Sequence, residues 1–162
     1  GLILGGFAMQ WAQSSRPASG AEHQFSHLWN MQHHVMDNGI PPSHGFQVSI
    51  GTLLSLALYE QLLQSDIPTI DIDACVRAWP DISDAQAQAT KMFKGTDFPT
   101  IGLTEITAKY IPHNQLRQQL LQLVQKWRDI QTRLQEQLIP VSEAVKRLQA
   151  AGAPNRPEQI AI

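Results

Sequence analysis

The sequence is short of the features that mark several protein classes. Its single cysteine, Cys75, has no partner for an internal disulfide, which favours a reducing compartment such as the cytoplasm. Charged residues make up 16% of the chain and the net charge is −2, so neither nucleic acid nor an anionic membrane is expected as a partner. The longest apolar run, 48–58, is too short to span a bilayer, and the N-terminus lacks the flanks of a signal peptide.

Common signatures of cofactor and nucleophile chemistry are also missing. The chain has no Gly-rich dinucleotide fingerprint, no phosphate-binding P-loop and no motif around a nucleophilic Ser or Cys. It starts at Gly1 rather than Met, within an apolar pattern, which indicates a piece of a longer polypeptide. Its 162 residues, 43% of them apolar, are enough for a hydrophobic core, and we predict one domain over 1–162.

Apolar residues recur with helical spacing along the chain, and no stretch alternates convincingly as strands do. The segment 44–64 is apolar on nearly every face, which is typical of a central helix with neighbours on several sides. The stripe of Leu and Trp side chains in 113–139 predicts a long helix with one buried face. We therefore predict an all-α multi-helix bundle. Further helices are expected over 1–13 (buried), 19–32, 71–79, 83–93, 100–111 and 142–151, with a strand as the alternative for 100–111 because of its β-branched residues.

Polar residues at the start of three helices are typical of N-caps, whose side chains accept hydrogen bonds from free backbone amides. Ser19 with Glu22 three residues later has the pattern of a capping box. Asp71 and Ser83 stand in the corresponding place before two later helices, with Asp73 as an alternative to Asp71. These residues predict where the helices begin.

Five of the six histidines lie between Ser14 and Gly45. His23 and His27 are four residues apart, so on a helix both rings project from the same face. His44 stands where the apolar helix begins, and three converging imidazoles suit a divalent zinc, nickel or iron ion. Surface histidines with ordinary hydrogen bonds are the alternative explanation. The remaining histidines lack such a setting and are predicted to be solvated: His33, His34 and His113.

A second candidate site surrounds Arg16, in the small-residue stretch 14–20 just before the second helix. Free N–H groups and the dipole at a helix start attract anions. A guanidinium can also bind a phosphate or a carboxylate. From the residues alone, a capped helix start with a surface arginine is the simpler interpretation.

Two motifs in this region resemble a known family. The segment SRPASGAEHQFSHLWNMQ, followed by SHGFQVSIGTLL, is similar to the C-terminal helical domain of sn-glycerol-1-phosphate dehydrogenases. These enzymes belong to the iron-containing alcohol dehydrogenase superfamily, with glycerol dehydrogenase and dehydroquinate synthase as relatives. The form with Ser-Arg-Pro and with Trp29 after the second His resembles the bacterial type. Helical order and the closing AAGAP segment extend the resemblance over essentially the whole chain.

The resemblance implies an architecture, a reaction and a set of site residues. Such enzymes join an N-terminal nucleotide-binding α/β domain to a helical domain, with metal and substrate in the cleft between them. They transfer hydride reversibly between NAD(P)H and dihydroxyacetone phosphate, giving sn-glycerol 1-phosphate, with zinc or nickel as the metal. Position by position, the resemblance implies His23 and His44 as metal ligands and His27 as a catalytic residue in the substrate pocket. Arg16 and Ser19 become substrate-binding candidates.

Part of the family's machinery has no counterpart between Gly1 and Ile162. The third protein ligand, an Asp, and the Gly-rich nucleotide loop lie upstream in the family, so an N-terminal domain is expected as a missing partner and the isolated chain is expected to be inactive. Homo-oligomeric assembly stays open. Each ligand ring would need a hydrogen-bond partner for its other nitrogen, for which Glu22, Ser43 and backbone carbonyls are candidates.

Two other functions remain open from the sequence. One is a helical interaction or regulatory module in which the histidines are incidental. The other is a metal hydrolase with His23, His27 and His44 as ligands and water in the fourth position.

Overall fold

The computed structural model describes residues 2–96, 98 and 100–162, and within this part of the chain it contains helices and loops but no strand. The all-α prediction is therefore confirmed. The α-helices in chain order are α1 (Leu2–Ala12), α2 (Ala21–Met31), α3 (His44–Gln64), α4 (Ile72–Ala78), α5 (Ile82–Met92), α6 (Ile101–Lys109), α7 (His113–Gln137) and α8 (Val141–Ala150). Short 3-10 turns are formed by Arg16–Ala18, Ile67–Thr69 and Pro157–Ile160.

The chain divides into two compact units, one made of residues up to 62 together with 139–162 and the other of residues 63–138. In the first unit, α3 carries more of the buried residues than any other described helix, as its apolar pattern predicted. Ile50 is fully buried, and Leu53 and Leu56 are nearly so. This helix supports the residues of the candidate site.

The first turn of α2 approaches α3 closely at Gly51. A Cβ atom on this glycine would lie 2.5 Å from the carbonyl oxygen of Glu22 and 3.2 Å from its Cα. Because those atoms belong to the backbone, they cannot move aside without displacing the helix. The absence of a side chain at Gly51 therefore lets α2 lie directly against α3, and this contact fixes the start of α2.

The C-terminal part of the first unit is tied to α3 and to the loop before it. The Ser49 hydroxyl donates to the Pro154 carbonyl over 3.1 Å, and the Glu60 carboxylate accepts from the Val141 backbone amide over 2.7 Å. His34 lies 2.6 Å from the Ile160 carbonyl, to which its ring N–H donates. The prediction of a solvated His34 is therefore wrong. Its partner lies 126 residues away in the chain, so local sequence could not reveal the contact.

The prediction of a buried first helix is also wrong. α1 forms as expected, but the side chains of Ile3, Phe7 and Trp11 are 76%, 63% and 92% exposed. Among the described residues its main neighbour is the 3-10 turn Arg16–Ala18. An apolar segment can become helical through local preferences, whereas its burial requires a second surface. Gly1 lies outside the described residues.

In the second unit, α4 packs on α7 and α5 packs on α6. The stripe of α7 faces inward as predicted, with Trp127 buried. His113 donates a ring N–H to the Trp79 carbonyl over 3.0 Å, so it is not simply solvated as predicted. The side chain of Asp71 caps α4 by accepting from the Ala74 amide over 2.9 Å. Asp71, rather than Asp73, is therefore the N-cap.

Two predicted N-caps are wrong. α2 begins at Ala21 with Gly20 in the cap position, and the Ser19 hydroxyl instead donates to the Ser15 carbonyl over 3.0 Å. The 3-10 turn ahead of α2 brings that carbonyl within reach of Ser19. Neither half of the predicted capping box forms, because the Ser19 amide donates to the Arg16 carbonyl and the Glu22 carboxylate accepts from the Gly20 amide over 2.9 Å. Ser83 lies inside α5, where Asp81 occupies the cap position.

Within the described residues, α3 is the one helix long and apolar enough to cross a membrane by length and composition. The core helices of water-soluble proteins pass the same test. Its buried polar side chains Gln47, Ser49 and Ser55 all make hydrogen bonds within the first unit. The sequence-based expectation of no membrane partner stays a prediction.

Candidate metal centre

The rings of His23 and His44 lie together at the starts of two helices. His23 is in the first turn of α2 and His44 is the first residue of α3. Their ring centroids are 5.2 Å apart and the ring planes are inclined by 55°. Two imidazoles on one tetrahedral zinc ion have centroids about 5 Å apart, since each ring nitrogen lies about 2.1 Å from the metal and about 1.2 Å from its own centroid. The observed spacing therefore suits two ligands of one ion.

Glu22 engages the other side of the His23 ring. Its carboxylate oxygen lies 2.8 Å from Nδ1 of His23, which leaves Nε2 as the nitrogen free to bind a ligand. Burial alone would raise the pKa of the Glu22 carboxyl, but its hydrogen bonds outweigh that effect. These bonds come from its own backbone amide, His23 and the Gly20 amide, and with the charge of His23 they lower the pKa below its ordinary value. Glu22 is therefore a carboxylate at neutral pH, as a partner of a metal-binding histidine should be.

The partner of His44 is not among the predicted candidates. Its Nδ1 lies 3.1 Å from the hydroxyl oxygen of Ser26, a residue that is completely buried. Ser43, one of the candidates, instead accepts from the Phe46 backbone amide over 3.3 Å and so acts at the start of α3. Ser26 in turn donates to Gln47 over 2.8 Å.

Sequence reasoning missed both Ser26 and Gln47, although helical spacing held a signal for each. Ser26 is three residues after His23 and Gln47 is three residues after His44, so each shares a helix face with one histidine. A polar residue three positions after a ligand on a helix could have been tested as a partner of the facing ring.

His27 lies one helical turn beyond His23 and is exposed. Its ring centroid is 6.4 Å from that of His23, longer than the separation between His23 and His44. Among the described residues, no group of three His, Cys, Asp or Glu side chains is placed to hold a metal ion. The structure thus brings two predicted ligands together and does not gather the three histidines required by the hydrolase alternative.

Arg16 and Ser19 lie just before α2. Arg16 is exposed, and its guanidinium has no ion-pair partner within the part of the chain that the structure describes. Ser19 keeps its oxygen available as an acceptor while its hydroxyl proton is directed to the Ser15 carbonyl. Their substrate-binding roles remain predictions, as does the role of His27.

The chain is similar to curated proteins named glycerol-1-phosphate dehydrogenase [NAD(P)+]. It is 43% identical over 68 residues to the protein of Halalkalibacterium halodurans, 42% over 77 residues to that of Korarchaeum cryptofilum and 50% over 58 residues to that of Pyrococcus horikoshii. These matches cover 42%, 42% and 36% of this chain but 17%, 24% and 15% of the relatives. No protein-family profile and no solved structure matches the chain.

The resemblance to glycerol-1-phosphate dehydrogenases is thereby confirmed over about two fifths of the chain. The chain spans about a fifth of the length of the curated relatives that it matches.

Proposed function

We propose that this chain is the metal- and substrate-binding helical part of an NAD(P)-dependent glycerol-1-phosphate dehydrogenase. The proposed reaction is reversible hydride transfer between NAD(P)H and dihydroxyacetone phosphate to give sn-glycerol 1-phosphate. The observation that carries the proposal is the 5.2 Å separation of the His23 and His44 rings, which suits two ligands of one ion. The similarity to relatives that bear this name supports the choice of reaction.

His23 and His44 would hold a zinc or nickel ion through Nε2, with Glu22 and Ser26 orienting the rings from the other side. When bound, the ion would supply Lewis acidity for the substrate carbonyl. Two imidazoles are an incomplete ligand set, so a further ligand, together with the NAD(P) site, would come from another part of the whole protein.

The remaining roles belong to side chains around this pair. Arg16 would bind the phosphate of the substrate, because a free guanidinium makes paired hydrogen bonds with phosphate oxygens. Ser19 would accept a hydrogen bond from a substrate hydroxyl there, because its own proton is donated to the Ser15 carbonyl. His27, exposed one turn from His23, would contact the substrate rather than the metal. We further propose that the whole protein acts in the cytoplasm, in keeping with the single thiol of Cys75.

The test is to measure metal content by mass spectrometry beside initial rates for variants of the whole protein. His23→Ala and His44→Ala should each lower metal affinity and activity together by more than about 100-fold. Removing only a hydrogen-bond partner of a ligand costs up to about 100-fold, and loss of the ligand itself should cost more. His27→Ala should lower the rate and keep the metal. His113→Ala is the matched control, since its ring bonds to the Trp79 carbonyl in the other unit, and it should keep both.

Two results would overturn parts of this proposal. If His23→Ala and His44→Ala retain metal, the metal site is elsewhere. If His27→Ala empties the site as completely as His23→Ala does, His27 is a ligand and the three-histidine alternative gains. Arg16→Ala should raise KM for dihydroxyacetone phosphate at unchanged metal content, and an unchanged KM would remove Arg16 from the substrate site.

A further inference from the structure

We propose that Ser26 and Gln47 are positioning residues that place the proton of neutral His44 on Nδ1 and so present Nε2 as a lone pair. This inference deepens the proposed metal site and rests on it. A metal ligand needs an unprotonated ring nitrogen, and the hydrogen bond at the opposite nitrogen decides which one that is.

The carbonyl oxygen of Pro42 can only accept hydrogen bonds. The side chain of Gln47 lies 3.0 Å from this carbonyl and 3.0 Å from the side-chain oxygen of Asn30. The amide nitrogen of Gln47 must therefore point at Pro42. Its oxygen points the other way, toward Ser26. The reversed amide would set two oxygens against each other at a residue that is 2% exposed, where water cannot compensate.

The orientation of Gln47 then fixes the Ser26 hydroxyl. Ser26 has one proton to donate, and it gives this proton to the Gln47 oxygen over 2.8 Å. Its 3.1 Å contact with Nδ1 of His44 must consequently run in the opposite direction, with the ring N–H donating to the serine oxygen. Nδ1 carries the proton in the neutral ring, and Nε2 is left unprotonated.

His23 reaches the same state by a different route. Its Nδ1 faces the carboxylate of Glu22, which accepts a hydrogen bond from the ring N–H. The His23 ring is thus oriented by an ionised carboxylate. The His44 ring is oriented by a buried series of hydrogen bonds between neutral groups, from Pro42 through Gln47 and Ser26. Both leave Nε2 free, which is the condition for two rings to share an ion.

The first experiment measures tautomers directly by long-range ¹H–¹⁵N correlation on the metal-free chain at about pH 8.5, above the ordinary imidazole pKa of about 6.5. Nδ1 of His44 should appear as a protonated nitrogen and Nε2 as an unprotonated one. Ser26→Ala should move His44 toward the Nε2–H form, because the oxygen that accepts from Nδ1–H is lost. Gln47→Met should do the same, because Ser26 loses its acceptor and can donate to Nδ1 instead.

Two controls accompany these variants. Ser55→Ala removes another buried serine, whose hydroxyl bonds to the Gly51 carbonyl over 2.8 Å, and it should leave the His44 tautomer unchanged. The His23 signals report on folding, because the Glu22 contact should keep that ring in its Nδ1–H form in every variant. An Nε2–H form of His44 in the unaltered chain, or a tautomer unchanged by Ser26→Ala while the His23 signals are native, would overturn the inference.

The second experiment is a zinc titration of the whole protein. Ser26→Ala should weaken zinc binding by about 10- to 100-fold, whereas Ser55→Ala should not. If the unaltered protein shows the expected tautomers but does not bind zinc, the hydrogen bonds from Pro42 to His44 are supported and the proposed function is contradicted. Zinc binding that Ser26→Ala leaves intact would instead overturn the role of Ser26 at the metal and spare the proposed function.

Discussion

At the scale of single residues, Glu22 links the backbone of α2 to the ring of His23. Its carboxylate accepts from the Gly20 amide and from the His23 ring, over 2.9 and 2.8 Å. A negative charge in the first turn of a helix also interacts favourably with the helix dipole. The same group therefore stabilises the start of α2 and orients a proposed metal ligand.

The lowered pKa of Glu22 predicts a pH dependence of stability. Because the folded value lies below the unfolded one, the contribution is complete above the unfolded pKa of about 4.3 and is lost as the pH falls through the folded value. Glu22→Gln should be less stable than the unaltered chain at pH 7, and the difference should shrink as the solution becomes more acid. Urea unfolding at several pH values measures it, with the exposed Glu136→Gln as control. A difference that stays constant with pH would contradict this expectation.

Some site residues could be found from the sequence and others could not. The pairing of His23 with His44 could be predicted from the motif resemblance, which implies both as ligands of one metal. Glu22 could be suggested as a partner because it is adjacent to His23. Ser26 was missed because its partner, His44, lies on another helix, and only the crossing of α2 over α3 at Gly51 brings the two together.

At the scale of helices, the candidate metal centre depends on the close approach of α2 to α3 at Gly51. Gly51→Ala places a methyl group against the Glu22 backbone, and overpacking of this kind costs about 1–3 kcal/mol. The better helix propensity of alanine returns less than about 1 kcal/mol. We expect a net loss of about 1–2 kcal/mol in the free energy of unfolding and a displaced His23, visible as shifted His23 and His44 ring signals.

Gly45→Ala is the matched control for Gly51→Ala. Gly45 lies in the same helix and a Cβ there meets nothing within 4 Å, so this variant should be neutral or more stable by up to about 1 kcal/mol. Equal stabilities of the two variants in urea unfolding would show that α2 does not rest on α3 at Gly51.

The starts of α4 and α5 give a second test. Asp71→Ala removes a side-chain cap that accepts from the Ala74 amide, and it should cost about 1 kcal/mol in the free energy of unfolding. Ser83→Ala should be neutral or slightly stabilising, because Ser83 lies inside α5 and makes no described cap bond. Thermal or urea unfolding of both variants measures the contrast, and a larger loss for Ser83→Ala would reverse our assignment of the caps.

Helix existence was more predictable than helix surroundings. The bounds of α3 and α7 follow from apolar periodicity and from flanking prolines, which are local features. The exposure of α1 does not follow from its sequence, since its apolar residues fit a helix equally well in a core or on a surface. The predicted N-cap at Ser19 was wrong because its hydroxyl donates to the Ser15 carbonyl instead. The 3-10 turn that makes this bond possible cannot be predicted from the residue pattern.

At the scale of the whole molecule, the chain carries one part of the proposed chemistry. The proposed reaction would use a nucleotide, a metal and a substrate site, whereas the described residues supply two imidazoles and a free arginine. The curated relatives are about five times longer than the matched segments, which leaves room for the other sites in them. The contribution of this chain can therefore be tested by comparing ligand binding by the 162-residue chain with ligand binding by the whole protein.

The 162-residue chain alone should neither bind NADH nor reduce dihydroxyacetone phosphate, because its sequence has no Gly-rich loop to hold a pyrophosphate at a helix start. It should bind zinc only weakly, since His23 and His44 fill two of the four positions that a zinc ion normally occupies. Calorimetry with NADH and with zinc tests both expectations, and the whole protein under the same conditions is the positive control. Saturable NADH binding by the chain would show a nucleotide site that the sequence does not reveal. Tight zinc binding by the chain, abolished by His27→Ala, would show that His27 turns inward as a third ligand and that the metal centre is complete within these helices.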